Sequence, residues 1–276
     1  MKSRILVAAA GVPVLLYVVL RAPPLALMGA LALLAGIGGW ELYNCVSKER
    51  DGFLSAAAAF IPCLTVVFRY CCPDYVVAWF LLSALAVFAY AVCKGGTVRS
   101  GQVAAVLFGG AAIGYCFASF LRIYASGVSR AYLLLPFILS FACDTFAYFT
   151  GLALGRHKLA PKVSPQKTVE GSAGGLLGNL VCGLLFVFVM KTWFYGAGGA
   201  LGYGSMAALS LLCGVVAQLG DLSFSLIKRE FGVKDYGKIF FAHGGVLDRF
   251  DSVLFVAPVL AALMELTQTG WRCTGG

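Results

Sequence analysis

Long apolar runs separated by short polar segments alternate along almost the whole chain. Nine of these runs approach or exceed the roughly 20 residues that a helix needs to cross a bilayer. The pattern predicts an all-α, polytopic integral membrane protein of about nine transmembrane helices with polar loops between them. The predicted spans cover residues 4–20, 23–44, 53–69, 75–93, 102–122, 131–154, 172–194, 205–227 and 252–270.

The composition agrees with this pattern. Hydrophobic residues make up 61% of the chain and charged residues 12%, with a mean hydropathy of +0.89. Soluble domains carry about 25% charged residues, which excludes a water-soluble globular protein. Residues 1–20 are basic and then apolar, as in a signal peptide, but no small-residue cleavage site precedes a soluble domain, so we expect a retained helix. The ten cysteines show no CxxC or Cys/His metal spacing.

Positive charge is concentrated on one side of the predicted topology. With nine spans, 15 of the 21 Lys and Arg residues fall on the side that carries the N-terminus. Cytoplasmic loops carry the excess of Lys and Arg, so the N-terminus and the two long polar loops, residues 155–171 and 228–251, are predicted to face the cytoplasm. The net charge of +9 indicates anionic lipid or an anionic substrate as the partner, and not nucleic acid.

The two polar loops also define the predicted domain organisation. They contain His157 and His243, the only two histidines, and most of the remaining polar chemistry. We therefore predict a region of N-terminal transmembrane helices at residues 1–125 and a C-terminal catalytic transmembrane region at residues 126–276.

Two aspartates occupy predicted membrane spans. Asp144 lies deep in the sixth span, and Asp221 lies near the cytoplasmic end of the eighth. An ionised carboxylate in hydrocarbon costs at least ~2.5 kcal/mol, so it indicates a functional site unless it is protonated or hydrogen-bonds a neighbouring helix. On a helix, Asp144 shares a face with Tyr148, and Asp221 shares a face with Lys228. Both faces lead towards a basic loop, which favours a functional role.

The first polar loop, GRHKLAPKVSPQKTVEG at residues 155–171, is basic and is interrupted by two prolines, so it is not predicted to be helical. The hydroxyls of Ser164 and Thr168 and the ammonium group of Lys167 suit phosphate groups. A solvated loop that binds anionic headgroups is the alternative. The GSAGG sequence at residues 171–175 would let a ligand or a neighbouring helix approach the backbone.

The second polar loop supplies candidate metal ligands. Asp248 and Asp251 share a face if the last helix begins near Val246, and together with Asp221 they would surround a divalent cation. Mg²⁺ uses one or two carboxylates plus substrate phosphates. His243 would orient a phosphate, transfer a proton or make a structural hydrogen bond. Carboxylates, many cations and a membrane position together indicate phosphoryl or nucleotidyl transfer at the bilayer surface.

These segments also resemble a known family. SLIKREFGVKDYGKIFFAHGGVLDRFD, from Ser225 onward, is similar to the C-terminal motif of the phosphatidate cytidylyltransferases, or CDP-diacylglycerol synthases. DTFAYFTGLALGRHKLAPKVSPQKTVEG resembles the family's Asp-x-x-Ala-Tyr-x-x-Gly and Ser-Pro-x-Lys-Thr-x-Glu-Gly elements. The resemblance is specific over residues 140–252 and general in the N-terminal half. Gln166 and Phe241 depart from the family's usual residues, which puts the local loop shape in doubt.

The resemblance implies the transfer of CMP from CTP to phosphatidic acid, giving CDP-diacylglycerol and pyrophosphate in phospholipid biosynthesis. It also implies Mg²⁺ as cofactor, with Asp221 and Asp248 as metal ligands, and a bacterial inner (cytoplasmic) membrane as the location. A second, monovalent cation and a homodimer are left open. Since the lipid phosphate already carries a negative oxygen, catalysis would consist of positioning and charge stabilisation.

Further site residues follow from matching the family motifs onto this chain. The predicted catalytic residues are Asp144, Lys167, Lys228, Arg229, His243, Arg249 and Asp251. The predicted substrate-binding residues are Ser164, Thr168, Glu170, Ser225, Lys234, Asp235, Gly244 and Gly245.

Two other functions compete with this interpretation. A CTP-dependent lipid-alcohol kinase would need the same cations, carboxylates and lipid groove, but the full motif at the second loop argues against it. An ion-coupled transporter would use Asp144 and Asp221 as cation sites, but no internal repeat is visible and the polar groups collect on one side. An intramembrane aspartyl protease is disfavoured because Gln218 replaces the first glycine of its Gly-x-Gly-Asp element.

Overall fold

The computed structural model describes residues 11, 13–47, 49, 51–127, 129–195, 201–239 and 244–274. Within these ranges, seven helices are long and apolar enough to cross a membrane, judged by length and composition. The predicted class, an all-α integral membrane protein, is therefore confirmed, whereas the count of nine spans stays a prediction. The seven are Pro24–Val46, Gly52–Cys71, Pro73–Cys93, Ser100–Ala125, Arg130–Leu154, Val169–Phe194 and Tyr203–Glu230.

The chain divides into two compact units, and the first combines Met1–Ala131 with Lys228–Phe250. The predicted division at residue 125 stays a prediction, but the packing adds that the second polar loop belongs with the N-terminal helices. In this unit α2, α3 and α5 pack against one another, and α4 packs against α3 and α5. Its helices are α1 (13–20), α2 (Pro24–Val46), α3 (Gly52–Cys71), α4 (Val76–Cys93) and α5 (Ser100–Ala125).

Small residues allow α3 and α5 to approach closely. Gly110 and Gly114, four residues apart on α5, lie against Ile61 and Thr65 of α3, and a Cβ at either glycine would crowd these side chains. Glycines at this spacing let the backbones of membrane helices come together where no hydrophobic effect drives them. The result is a tightly packed core that holds α2, the helix that contacts the second polar loop.

The second unit combines Tyr132–Ile227 with Asp251–Gly276. Helices α8 and α9 therefore each contribute residues to both units. The elements of this part of the chain are α6 (Leu135–Leu154), β1 (Lys158–Ala160), β2 (Ser164–Thr168), α7 (Val169–Val189), a π-helical turn (Met190–Tyr195), α8 (Tyr203–Glu230) and α9 (Leu247–Thr274).

Helices α6 and α7 are held together by the glycines at the start of α7. A Cβ on Gly171 would approach the carbonyl oxygen of Ala147 to 2.7 Å, and a Cβ on Gly175 would approach that of Cys143 to 2.8 Å. Of the two uses predicted for the GSAGG segment, close approach of a neighbouring helix is therefore confirmed. This packing fixes the part of α6 that carries Asp144 relative to α7.

The two polar loops are shorter than predicted. Residues 155–168 are non-helical, as expected, but they contain an antiparallel pair, β1 and β2, that was not predicted. The expectation that residues 169–171 belong to the loop was wrong, because the Thr168 hydroxyl accepts the Gly171 N–H (3.1 Å) and starts α7 at Val169. Both ends of the second predicted loop, residues 228–251, are helical, because α8 continues to Glu230 and α9 begins at Leu247.

Candidate active site

A pocket of about 620 Å³ opens in the second unit, beside α6, the β-hairpin, the start of α7 and α8. One wall is polar, whereas Tyr148 and Leu152 of α6 supply an apolar part and are 64% and 74% exposed. Pockets of about 300–1,000 Å³ bury most of a small-molecule ligand. The lining residues are Asp144, Ala147, Tyr148, Gly151, Leu152, Gly155, Lys158, Leu159, Ser164, Gln166, Lys167, Thr168, Gly171, Ser172, Gln218 and Asp221.

Two carboxylates face this pocket together. Asp144 of α6 and Asp221 of α8 are close enough to repel each other electrostatically. Lys167 of β2 forms an ion pair with Asp221 and also attracts Asp144. The side chains of Lys167 and Asp221 are 26% and 24% exposed, so the pair is accessible from the pocket. Two carboxyl groups and one amino group thus meet at the pocket, and carboxylate oxygens are the ligands that hard cations prefer.

Asp251 lies next to this cluster, and its predicted catalytic role stays a prediction. It is the first residue of α9 in the second unit. The Ser252 hydroxyl is 3.4 Å from both Asp144 Oδ2 and Asp251 Oδ1, and the Ser252 N–H donates to Asp251 Oδ1 at 2.8 Å. Ser252 is 2% exposed and touches both carboxylates with one hydroxyl. The hydroxyl therefore lies between Asp144 and Asp251, and its single proton can be donated to either carboxylate.

Local hydrogen bonds hold Lys167 in place at the end of its hairpin. The Val169 N–H donates to the His157 carbonyl (2.9 Å), and the Glu170 carboxylate contacts His157 Nδ1 (2.6 Å). The same carboxylate accepts the backbone N–H groups of Arg156 (3.1 Å) and His157 (3.2 Å). Glu170 thus closes the base of the hairpin, and its predicted role in substrate binding stays a prediction.

A second cluster, in the first unit, is built around Asp248. Asp248 Oδ1 accepts from Lys228 Nζ at 2.9 Å, and Oδ2 accepts the N–H groups of Tyr236 (2.8 Å) and Gly245 (2.9 Å). The side chains of Asp248 and Lys228 are only 4% and 11% exposed. The Lys228 ammonium also lies 5.4 Å from the centre of the Tyr236 ring. Both oxygens of Asp248 are therefore engaged by donors from three places in the chain.

The glycines of the His-Gly-Gly sequence are required by this arrangement. Gly244 has φ of 82°, and a Cβ there would meet the Asp248 side chain. A Cβ on Gly245 would collide with the carboxylate of Glu41, a fully buried residue of α2. The preceding His243 lies outside the described residues, so its predicted catalytic role stays a prediction.

The other predicted site residues take two kinds of position. The Ser225 hydroxyl donates to Asp221 Oδ1 at 3.3 Å, one turn further along α8. Ser164 and Thr168 line the pocket. The remaining charged residues are exposed on the first unit, and their roles in catalysis and substrate binding stay predictions. They are Arg229, Lys234, Asp235 and Arg249.

Several polar residues of these clusters are absent from the predicted site. Lys158 and Gln218 line the pocket, and Gln218 accepts from the Ser172 hydroxyl while its amide donates to the Ser172 carbonyl at 3.1 Å. Glu41 and Gln218 each interrupt an apolar span, the same signal that identified Asp144 and Asp221. Ser252 had no signal of its own, because a serine at the start of a helix is common.

The donor set of the pocket fits Mg²⁺. In the part of the chain that the structure describes, no group of three or more His, Cys, Asp and Glu residues is arranged to hold a metal ion by itself. Two carboxylates nevertheless face one pocket, and Mg²⁺ is usually bound by one or two carboxylates together with water and substrate phosphates. Asp144 and Asp221 therefore suit an ion that arrives with a polyphosphate.

Comparison with known proteins assigns the chain to a family. The model of the cytidylyltransferase family matches residues 2–267. The chain belongs to the cytidylyltransferase family. This membership confirms the resemblance seen in the motifs and makes the protein a nucleotidyltransferase.

Relatives with known names agree with this membership. The chain is 37% identical over 187 residues to the phosphatidate cytidylyltransferase of Bacillus subtilis, and the aligned region covers 67% of each chain. It is 37% identical over 182 residues to the enzyme of that name from Staphylococcus aureus (strain COL), which covers 64% of this chain and 65% of the relative. The match therefore spans about two thirds of these relatives' lengths.

Proposed function

We propose that the protein is a phosphatidate cytidylyltransferase that transfers CMP from CTP to phosphatidic acid. The observation that carries the proposal is the pocket of the second unit, where Asp144, Lys167 and Asp221 meet an exposed apolar surface on α6. Such a pocket suits an amphiphile whose phosphate meets the charged wall while its acyl chains stay in the bilayer. The names of the relatives support the same substrates.

The reaction needs no net proton transfer. A phosphate oxygen of phosphatidic acid attacks the α-phosphorus of CTP, the bond from this phosphorus to the bridging oxygen breaks, and pyrophosphate leaves with the electron pair. Lys167 and Lys158, which line the pocket, would contact the phosphates of the two substrates. Catalysis then consists of alignment and charge stabilisation, which is the general pattern of phosphoryl transfer.

Asp221 and Asp248 are the proposed Mg²⁺ ligands, with Asp144 and Asp251 as further ligands or as supports of the ligands. Bound Mg²⁺ would offset the negative charge of the triphosphate. Each of the two proposed metal ligands forms an ion pair with a lysine: Asp221 with Lys167, and Asp248 with Lys228. Binding of the ion would release these lysines to the phosphates, which explains why the family motifs combine aspartates with lysines. Arg229 and Arg249 are proposed to offset charge on the leaving pyrophosphate and the lipid phosphate.

The test is an assay with CTP labelled in its α-phosphate and with phosphatidic acid, at graded Mg²⁺. A cytidylyltransferase transfers the label to lipid, whereas a lipid-alcohol kinase leaves it in the nucleotide. Asp221→Asn and Asp248→Asn should abolish most of the transfer, and Asp74→Asn, at an exposed carboxylate of the 3₁₀ turn Pro73–Tyr75, is the matched control. Wild-type rates in either of the first two variants would refute its assignment as a metal ligand.

The kinase and transporter alternatives receive no support from the comparisons. We further propose nine spans in a bacterial inner membrane, with the N-terminus and the loops at residues 155–171 and 228–251 in the cytoplasm. Fusions of a periplasm-active and a cytoplasm-active reporter to each loop test this topology. Mass determination in detergent tests the homodimer, and activity with and without K⁺ tests the monovalent cation.

A further inference from the structure

Glu41 is a buried acidic residue that belongs to neither family motif. It lies in α2 and is 0% exposed. Its Oε1 accepts the Val246 N–H at 3.0 Å, and its Oε2 accepts the Leu247 N–H at 2.9 Å. These donors are the last residue before α9 and the first residue of α9. The side chain of one helix thus caps the N-terminus of another helix about 200 residues further along the chain.

Described residues at two places in the second polar loop contact this carboxylate. Gly237 and Gly245 pack directly on the Glu41 side chain, and a Cβ on either would collide with its carboxylate group. Asp248 contacts the same loop, because it accepts the N–H groups of Tyr236 and Gly245. Two carboxylates therefore bind this loop, and the glycines leave room for both.

Consecutive backbone groups divide between the two carboxylates. The Gly245 N–H donates to Asp248, and the next two N–H groups, of Val246 and Leu247, donate to Glu41. Holding Val246 and Leu247 therefore fixes the Gly245 N–H and the first turn of α9, from which the Asp248 side chain projects. The Asp248 carboxylate can then take few other orientations.

We infer that Glu41 is a positioning residue of the active site, which orients Asp248 by holding the loop and the first turn of α9. The inference rests on the proposed function, because it takes Asp248 to act on the metal-bound nucleotide. Partners that orient a metal-binding side chain usually contribute about 10–100-fold to affinity or activity.

The test replaces Glu41 by glutamine, which has nearly the same shape. The glutamine oxygen still accepts one N–H, but its NH₂ group faces the other N–H and repels it. We expect Glu41→Gln to lower kcat about tenfold and to raise the Mg²⁺ concentration for half-maximal activity about tenfold, by loss of orientation at Asp248. A second readout does not depend on activity: amide hydrogen exchange across residues 244–250 should become at least about tenfold faster.

Asp51→Asn is the matched control. Asp51 is also a carboxylate at a helix N-terminus in the first unit: it accepts the Leu54 N–H at 3.0 Å and the Tyr90 hydroxyl at 2.8 Å. Its loss should lower thermal stability but leave the Mg²⁺ requirement and the exchange of residues 244–250 within about twofold of wild type. If Glu41→Gln behaves like Asp51→Asn in both readouts, Glu41 has only a structural role and the inference is overturned.

Two further variants separate the possible failures. Should Asp248→Asn change kcat without changing the Mg²⁺ requirement, the metal role of Asp248 fails, and Glu41 is judged on kcat and on hydrogen exchange alone. Should Glu41→Gln not fold, Glu41→Asp keeps two carboxylate oxygens on a side chain one methylene shorter. It should then show a smaller shift in the same direction in both readouts, and unchanged values would overturn the inference.

Discussion

The two Asp–Lys pairs of this protein have the same chemistry in opposite surroundings. Lys167 and Asp221 are each about one-quarter exposed and face an open pocket. Lys228 and Asp248 are 11% and 4% exposed, and two backbone N–H groups also bind Asp248. The exposed pair can exchange its partner for a ligand at little cost, whereas opening the buried pair costs more. Asp221 is therefore the more accessible of the two proposed metal ligands, and Asp248 also holds the backbone of its loop in place.

The difference originates in how each aspartate is attached to the fold. Asp221 lies inside α8, where every backbone group of its turn is already bonded, so only its side chain is used. Asp248 lies in the first turn of α9, and its carboxylate also accepts the backbone N–H groups of Tyr236 and Gly245, which lie outside the helix. Backbone donors therefore hold the second carboxylate, whose side chain is 4% exposed against 24% for Asp221.

The largest expected effect is on catalysis, from the exposed pair. Asp221→Asn should lower the transfer rate on the order of 10³-fold, as expected for loss of a group that stabilises charge in the transition state. It should not lower the melting temperature, because it relieves the repulsion between Asp144 and Asp221. Transfer of α-phosphate label and a thermal unfolding curve on the same preparation check both parts. A lower melting temperature for Asp221→Asn would contradict the view that the exposed pair serves binding and adds little to stability.

The two lysines provide the sharpest comparison. Lys228→Met leaves a buried carboxylate unpaired and should destabilise the protein by about 3–5 kcal/mol. Lys167→Met removes a partly exposed partner and should change stability by less than ~1 kcal/mol, while it lowers activity about 100-fold. Unfolding by denaturant in a fixed detergent measures both free energies. Equal losses of stability in the two variants would show that exposure does not distinguish the pairs.

How much of the fold and of the candidate site could be predicted from the sequence depends on the type of contact. Hydrophobic runs predicted the membrane class, and apolar spans with a single carboxylate predicted Asp144 and Asp221, because a charge in hydrocarbon is costly. The motif also predicted Lys228 and Asp248, which lie together in the structure, while their roles stay predictions. The same rule applied to Glu41 would have found it, but the surrounding GGWELYN sequence matched no motif.

The contacts that could not be predicted are those between distant parts of the chain. The bonds from Val246 and Leu247 to Glu41 depend on the packing of α2 with the loop, which no local pattern encodes. The β-hairpin also escaped prediction, since its two strands have three and five residues and contain mostly polar side chains. Its formation depends on the Glu170 carboxylate, which ties Arg156 and His157 to the start of α7.

A smaller effect should follow from filling the space beside the buried pair. Gly245→Ala places a Cβ against the Glu41 carboxylate and should destabilise the first unit by about 1–3 kcal/mol through overpacking. Gly204→Ala is the control, because no atom of the described residues lies within 4 Å of a Cβ there and the residue is helical. The control should stabilise the protein by about 0.5–1 kcal/mol. Chemical denaturation of both variants decides the sign of each change.

The smallest expected effect concerns Thr168, which caps α7 and directly follows Lys167 of the exposed pair. The Thr168 hydroxyl accepts the Gly171 N–H at 3.1 Å, so Thr168→Ala should cost about 1 kcal/mol and loosen the start of α7. Thr168→Ser keeps the hydroxyl and should stay within ~0.5 kcal/mol of the wild type. Because Lys167 precedes the cap, the alanine variant should also raise KM for CTP about threefold, with kcat nearly unchanged, since the lysine is less well held before the substrate binds. If serine and alanine gave the same KM, the cap would have no influence on the pocket.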